Sequence, residues 1–218
     1  MNLTKINYTN DFNDLNIIDY KLKEWINKNK SKFGIICLDY RNRVRSDNLI
    51  PFLFCKKIVF KYINSFQQNN KILKKKIRCY VNEIIKNKKN ITCIGGESYL
   101  YAIINNINYN FYTNSVLLLN EAEINNKIYK LNNDLHIIDY NKMTNIKIYD
   151  IILINLSKLN KNLIKIINNY KNKLLIIISC KHKDFWKKIK YLTNYKIISR
   201  KYFVCQYFIT INILNFIS

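Results

Sequence analysis

Two of the chain's three glycines stand side by side, as Gly95 and Gly96 in ITCIGGESYLYAI, residues 91–103. A glycine pair after a short apolar run and before a helix-like one reads as a strand-to-helix turn. Glycine permits backbone conformations that other residues resist and lets the main chain approach a ligand closely. The start of the following helix favours negative charge. This is the chemistry of holding a nucleotide-like cofactor, with Ser98 placed as the N-cap of the helix. A tight turn without a ligand uses the same residues, so the pair alone leaves both readings open.

Other reactive combinations are missing. No Ser-His-Asp set, no paired carboxylates and no metal-ligating cluster can be assembled from the spacing, so no metal is expected. His136 falls inside a strand-like run and reads as a packed core histidine. His182, in SCKHKDFW, reads as a loop residue near the carboxyl end of a strand. Cationic chemistry is better represented. Lys74, Lys75, Lys76 and Arg78 lie in a basic stretch, and Arg41, Arg43 and Arg45 lie in the basic loop DYRNRVRSDN. These are the candidate phosphate contacts, with the abundant tyrosines available to stack bases. A lysine run is also what a solvated helix face looks like.

The elements that must position these residues follow from periodicity. Residues 13–31 read as an amphipathic helix through Leu15, Ile18, Leu22 and Ile26, with Gly34 as its stop and a strand at 35–38. Pro51 begins a second apolar run. Residues 69–90 read as a basic helix whose apolar face is Ile72, Ile77, Tyr80, Val81, Ile84 and Ile85. Beyond residue 90 the runs ITCIG, YNFYT, LHIID, DIILIN and LLIIIS alternate with segments long enough for helices. That alternation predicts βαβ units, and the continuous apolarity predicts strands covered on both faces. The last two strand-like runs, in KIISRKYFVCQYFITINIL, are joined too closely for a crossover helix, so they should pair antiparallel. The predicted fold is α/β: a doubly wound, mostly parallel seven-stranded sheet closed by an antiparallel C-terminal hairpin. The predicted division is an N-terminal helical or mixed extension, 1–68, and an α/β domain, 69–218.

The order of these elements resembles the class I S-adenosylmethionine-dependent methyltransferases, a Rossmann-like fold, over roughly residues 70–218. ITCIGGESYLYAI corresponds to the family's first strand, glycine loop and helix. NYNFYTNS corresponds to its second strand, with Asn114 where the family has an acid for the ribose hydroxyls. The helix SVLLLNEAEINNKIYKLNN resembles the family's A-x-x-N-x-x-x-Y pattern through Ala122, Asn125 and Tyr129. LHIIDYN corresponds to the third strand and puts Asp139 where a carboxylate meets the adenine amino group. YDIILINLSKL resembles the fourth-strand motif, with Asp150 at its start, as a turn residue or a site residue, and Asn155 at its end, where substrate is positioned. The resemblance implies S-adenosylmethionine as cofactor, held by Gly95, Gly96, Glu97, Asn114 and Asp139, with the turn so close beneath it that a Cβ has no room at one of the two glycines, Gly95 being the better candidate. The pattern departs at Cys93, which replaces an acid, and at Glu97 and Tyr99, where later family glycines fall. After Asn155 come Leu156 and Ser157 instead of two prolines.

Composition bounds the rest. The 218 residues carry 37 Lys and Arg against 14 acids, a formal net charge of +23, and are 49% hydrophobic. Such a chain can build a core, and its field favours polyanions. Asn, Lys, Ile and Tyr recur throughout, as an AT-rich coding bias produces, so part of the charge is background. Six scattered cysteines without a C-x-x-C read as reduced structural thiols. The polar N-terminus shows no signal peptide, and no apolar run is long enough to span a bilayer. The expectation is an intracellular or cytoplasmic, reducing location without a membrane partner. Two functions fit: a methyltransferase acting on RNA, with DNA or protein less favoured, or an inactive protein of that fold serving as an RNA-binding or structural subunit.

Overall fold

The computed structural model describes residues 49–55, 57–62, 65, 71–144, 146–170, 174–179, 182–204 and 208–217. The expected helix at 13–31, Gly34, the strand at 35–38 and the Arg41–Arg43–Arg45 loop lie outside them. The chain divides into two compact units, Met1–Ser65 and Phe66–Ser218.

In the first unit, β1 (Leu49–Phe54) pairs antiparallel with β2 (Lys57–Tyr62). The closing pair is Phe54↔Lys57, with Cys55 in the turn at φ 46°. Two-residue hairpins need such left-handed residues, because only then does the turn match the twist of the strands. Pro51 sits opposite Phe60 in β1. A residue that cannot donate to a ladder is tolerated there because, among the described residues, β1 pairs only with β2.

The second unit runs α1 (Lys71–Ile85), β3 (Asn90–Ile94), α2 (Ser98–Ile104), β4 (Asn108–Thr113), α3 (Val116–Tyr129), β5 (Asp134–Ile137), β6 (Ile151–Asn155), α4 (Lys161–Asn168), β7 (Leu174–Ser179), α5 (His182–Ile189), β8 (Tyr195–Val204) and β9 (Phe208–Phe216). Its sheet has the order β5-β4-β3-β6-β7-β9-β8. The first five strands are parallel, and β9 runs antiparallel to both β7 and β8. The predicted seven-stranded sheet and its terminal hairpin are therefore present.

Burial explains the sequence pattern. Every residue of β6 is buried, and Leu175 to Ser179 of β7 are buried as well, which is why both read as unbroken apolar runs. On one face α4 presses Leu163, Ile164, Ile166 and Ile167 against Ile94, Ile152, Ile154, Ile177 and Leu214. On the other, α2 contacts the sheet, α1 and α3, so all seven of its residues are buried and it carries no polar stripe. Helix α1 is shorter than the predicted 69–90. Its apolar face, Leu73, Ile77, Val81 and Ile85, is buried, and a turn through Lys88, whose amide donates to the Ile85 carbonyl, leads into β3.

One crossover departs from the βαβ pattern. The described residues between β5 and β6 contain no helix. Side chains on the sheet face hold this segment instead. Tyr112 Oη accepts from the Lys147 amide at 2.9 Å, Asn110 Nδ2 donates to the Lys147 carbonyl at 3.2 Å, and Thr92 Oγ1 accepts from the Tyr149 amide at 2.8 Å. A segment that thin leaves β5 partly uncovered. His136, expected in the core, is exposed and stacked on Tyr112 with ring centroids 4.6 Å apart, along a groove that Ile138, Ile146 and Lys147 also line. Among the described residues no helix is long and apolar enough to cross a membrane.

Candidate functional site

The sheet order reverses at β3, whose neighbours are β4 on one side and β6 on the other. Helices leaving such a point diverge, and the gap opens at the carboxyl ends of the strands. Gly95 and Gly96 follow β3 at that end, with φ of +67° and +47°. The Gly95 amide donates to the Tyr112 carbonyl at 2.9 Å, tying the turn to β4.

Both glycines are also required sterically, by the chain itself. A Cβ on Gly95 would stand 2.2 Å from Leu156 Cδ2 and 3.0 Å from the Asn155 carbonyl oxygen. On Gly96 it would stand 2.8 Å from Cγ, Nδ2 and O of Asn155. A cause within the chain thus already excludes a Cβ at both positions, whether or not a cofactor approaches the turn. The turn packs directly on the end of β6, and its left-handed backbone would strain any other residue.

The residues around the turn divide into those facing inward and those at the strand ends. Glu97 belongs to the first group. Arg78 Nη2 donates to its Oε1 and Oε2 at 3.0 Å each, and the two side chains are 8% and 4% exposed for Arg78 and Glu97. Glu97, expected at the cofactor, and Arg78, expected at a polyanion, are engaged with each other inside the helical layer. Lys74 is buried too, so of the four candidate phosphate contacts in α1 only Lys75 and Lys76 face solvent. Tyr99 is buried, donating its Oη to Glu121 Oε2 at 2.7 Å and packing on Phe111. Burial first, then the Glu121 charge, holds its phenol well above the usual range. Glu97 and Tyr99, the two departures in the glycine loop, therefore turn into the layer of α1, α2 and α3. Cys93 is buried with Sγ donating to the Ser98 carbonyl at 3.4 Å, and burial pushes its thiol up, so it stays neutral. Ser98 is the first helical residue, not the N-cap. Its hydroxyl donates to the Gly95 carbonyl at 2.7 Å, and Glu97 occupies the cap position without a side-chain bond to the helix amides.

At the strand ends the structure gathers most of the remaining candidates. Asn155 closes β6, is 9% exposed and lies against Gly96. Asn114 follows β4 and is exposed. Asp139 lies two residues beyond β5 and is exposed, its Oδ1 accepting from the Asn141 amide at 2.9 Å. Adjacent strands lie ~4.8 Å apart, so Asn155, the glycine pair, Asn114 and Asp139 line up across four neighbouring strands at one end of the sheet. Asp150 does not join them. It precedes β6 at the opposite end, where its carbonyl accepts from the Leu174 amide at 2.8 Å.

Sequence reasoning missed Tyr140. Its Oη donates, at 3.4 Å, to the same Tyr112 carbonyl that receives the Gly95 amide, and Thr113 and Asn114 also hydrogen-bond it. The phenol thus spans from the Asp139 loop to the end of β4, beside the glycine turn. Burial pushes its pKa up to about 12. Its only signal in the sequence is adjacency to Asp139, which is little in a chain with 17 tyrosines. The A-x-x-N-x-x-x-Y residues lie along α3. Ala122 and Asn125 are fully buried, Asn125 Nδ2 bonding the Glu121 carbonyl at 2.7 Å, and Tyr129 is half-buried. Among the described residues no group of His, Cys, Asp or Glu could hold a metal ion.

No protein-family model matches the sequence, and no curated protein matches it. Solved structures do match in fold. The Pyrococcus abyssi tRNA (uracil-54, C5)-methyltransferase, in complex with S-adenosyl-L-homocysteine, aligns with a TM-score of 0.63 and 18% identity over 79% of this chain and 45% of its own. The M. jannaschii tRNA m1G37 methyltransferase aligns with a TM-score of 0.57 and 12% identity over 81% and 59%. The B. subtilis m1A22 tRNA methyltransferase TrmK aligns at 0.50 and 15% identity over 64% and 65%. This chain spans less than two thirds of each. At these identities the likeness fixes the architecture and nothing finer: Phe66–Ser218 has the fold of the class I S-adenosylmethionine-dependent methyltransferases.

Proposed function

We propose that the chain is an S-adenosylmethionine-dependent methyltransferase acting on RNA. The observation that carries this reading is the convergence of Asn155, Gly95, Gly96, Asn114 and Asp139 at the carboxyl ends of β6, β3, β4 and β5, where the sheet order reverses. Fold neighbours that methylate tRNA support the substrate class. The cofactor, when bound, supplies an electrophilic methyl group on a sulfonium. What remains for the protein is positioning and exclusion of water, which is why no catalytic dyad is needed. Gly95 and Gly96 present bare backbone to the adenosyl group. Asn114 bonds the ribose hydroxyls, and the Asp139 carboxylate accepts from the adenine amine. Asn155, against the turn, orients the nucleophile of the substrate. The operative domain is 69–218, with 1–68 an extension to it.

Transfer of a labelled methyl group from S-adenosylmethionine to RNA tests the reaction. The natural chain is expected to label RNA and not protein, and Asn155→Ala to lower kcat more than it weakens cofactor binding. Cofactor binding without any transfer to RNA, DNA or protein would instead favour an inactive RNA-binding subunit. Tyr140 gives that second reading a structural basis, since it already bonds the β4 end beside the glycine turn.

A further inference from the structure

Residues 71–89 and 181–204 together hold sixteen of the 37 cations and two of the 14 acids, in a fifth of the sequence. Coding bias spreads charge along a chain; it does not bring two basic stretches about a hundred residues apart to one place. The fold does. Helix α1 packs against one face of β8 through Tyr80, whose ring meets Phe203 edge-on at 6.0 Å and whose Oη lies 3.5 Å from Ser199 Oγ. Lys201 Nζ sits 4.5 Å from the centre of the same ring. On the other face the Arg200 guanidinium lies 3.8 Å over the Trp186 ring of α5, and its Nε donates to Asn212 Oδ1 at 2.8 Å.

β8 is the last strand in the sheet order. A strand pairs its neighbours on either side, and consecutive residues point to opposite faces, so Arg200 and Lys201 put one cation on each side of this edge. Lys75 and Lys76 of α1, Lys187 of α5, Lys190 just after it, and Lys196 of β8 are all exposed. Tyr202, 49% exposed, stands among them. An edge so charged resists another β-strand, because the incoming strand would face a row of exposed lysines. A phosphate backbone meets the opposite situation: each contact releases counterions, and a solvent-facing tyrosine offers a stacking surface.

We propose that the β8 edge, flanked by α1 and α5, is a docking surface for single-stranded RNA. Four strand spacings, roughly 19 Å at ~4.8 Å each, separate β8 from β3 and the glycine turn. RNA held there is gripped away from the candidate cofactor site, and the grip needs no cofactor.

The test is binding of a short mixed-sequence single-stranded RNA, without cofactor, over a series of salt concentrations. The variant Lys187→Glu/Lys201→Glu is compared with Lys127→Glu/Lys165→Glu, which makes the same change in net charge at exposed positions elsewhere. The edge variant is expected to lose at least ten-fold in affinity at low salt, and its salt slope to fall by about 1.4, roughly 0.7 for each lost phosphate contact on a single strand. The control pair should keep its slope. Equal losses in both variants would mean that long-range charge alone binds RNA, and would overturn the proposal. So would unchanged binding in the edge variant, or a loss confined to vesicles of anionic phospholipid. If the edge variant does not fold, Lys76→Gln/Lys201→Gln reads the same slope with less repulsion. Absence of S-adenosylmethionine binding would sink the proposed activity and leave these outcomes untouched.

Discussion

Glu97 and Arg78 are nineteen residues apart and lie in an interior where a lone charge is costly. Removing one partner of a buried pair leaves the other uncompensated, at a typical cost of ~3–5 kcal/mol, whereas replacing both with apolar residues of similar size is often nearly neutral. Arg78→Ala should therefore lower unfolding free energy by that amount in urea titrations. Arg78→Met combined with Glu97→Leu should recover most of it. Recovery of nothing would mean that the pair is not what holds α1 to the glycine turn. The glycines make a second prediction at this scale. Gly96→Ala must adopt a φ of +47° and push against Asn155, so it should destabilise by roughly 1–3 kcal/mol without any ligand present. An Ala variant as stable as the natural chain would return the glycines to a role in ligand approach alone. Neither interaction is legible in the sequence. Glu97 looks like part of a cofactor loop because spacing along the chain is visible, while its partner across the helical layer is not.

The strands were the readable elements. The apolar runs of β3, β4, β6 and β7 became strands because burial on both faces leaves polar residues nowhere to point, while β5 joined the sheet with most of its residues exposed. The crossover at 138–150 was misread, since segment length permits a helix without requiring one, and the side chains that hold it, Thr92, Asn110 and Tyr112, sit in other elements. The described cysteines are free thiols in different settings: Cys93 is buried, whereas Cys79 is exposed on α1. A thiol reagent should modify Cys79 in the folded chain and leave Cys93 until unfolding, and peptide mapping that finds Cys79 unlabelled in the folded chain would contradict its exposure. Tyr140 and Tyr195, with the more deeply buried Tyr99 and Tyr109, contribute to the alkaline limit of the domain. Burial raises the phenols of Tyr140 and Tyr195 to about 12. An unfolded tyrosine titrates near ~10, so the unfolded chain sheds these protons first. Their contribution is complete below about pH 10 and disappears as pH climbs toward 12. Tyr140→Phe should flatten the fall in denaturation midpoint over that window, and an unchanged slope would mean that its phenol is not buried in solution.

At the scale of the molecule, the charge of +23 is unevenly used: Lys74 and Arg78 lie inside, while Lys75, Lys76, Lys187 and Lys201 surround one sheet edge. Composition alone could not separate these populations, because burial depends on which helix face meets the sheet. The whole arrangement rests on one claim, that the strand ends carrying Gly95, Asn114 and Asp139 receive an adenosyl group. A charge-assisted hydrogen bond is worth about 1.5–3 kcal/mol, so losing the Asp139 carboxylate should weaken that contact roughly ten- to a hundred-fold. Titration calorimetry with S-adenosylmethionine and S-adenosylhomocysteine measures it directly, on the natural chain and on Asp139→Ala. Saturable one-to-one binding that drops by that factor in the variant is the expected result. No heat and no thermal shift at millimolar ligand would contradict it, and would mean that Tyr140 and the packed glycine turn have closed the site.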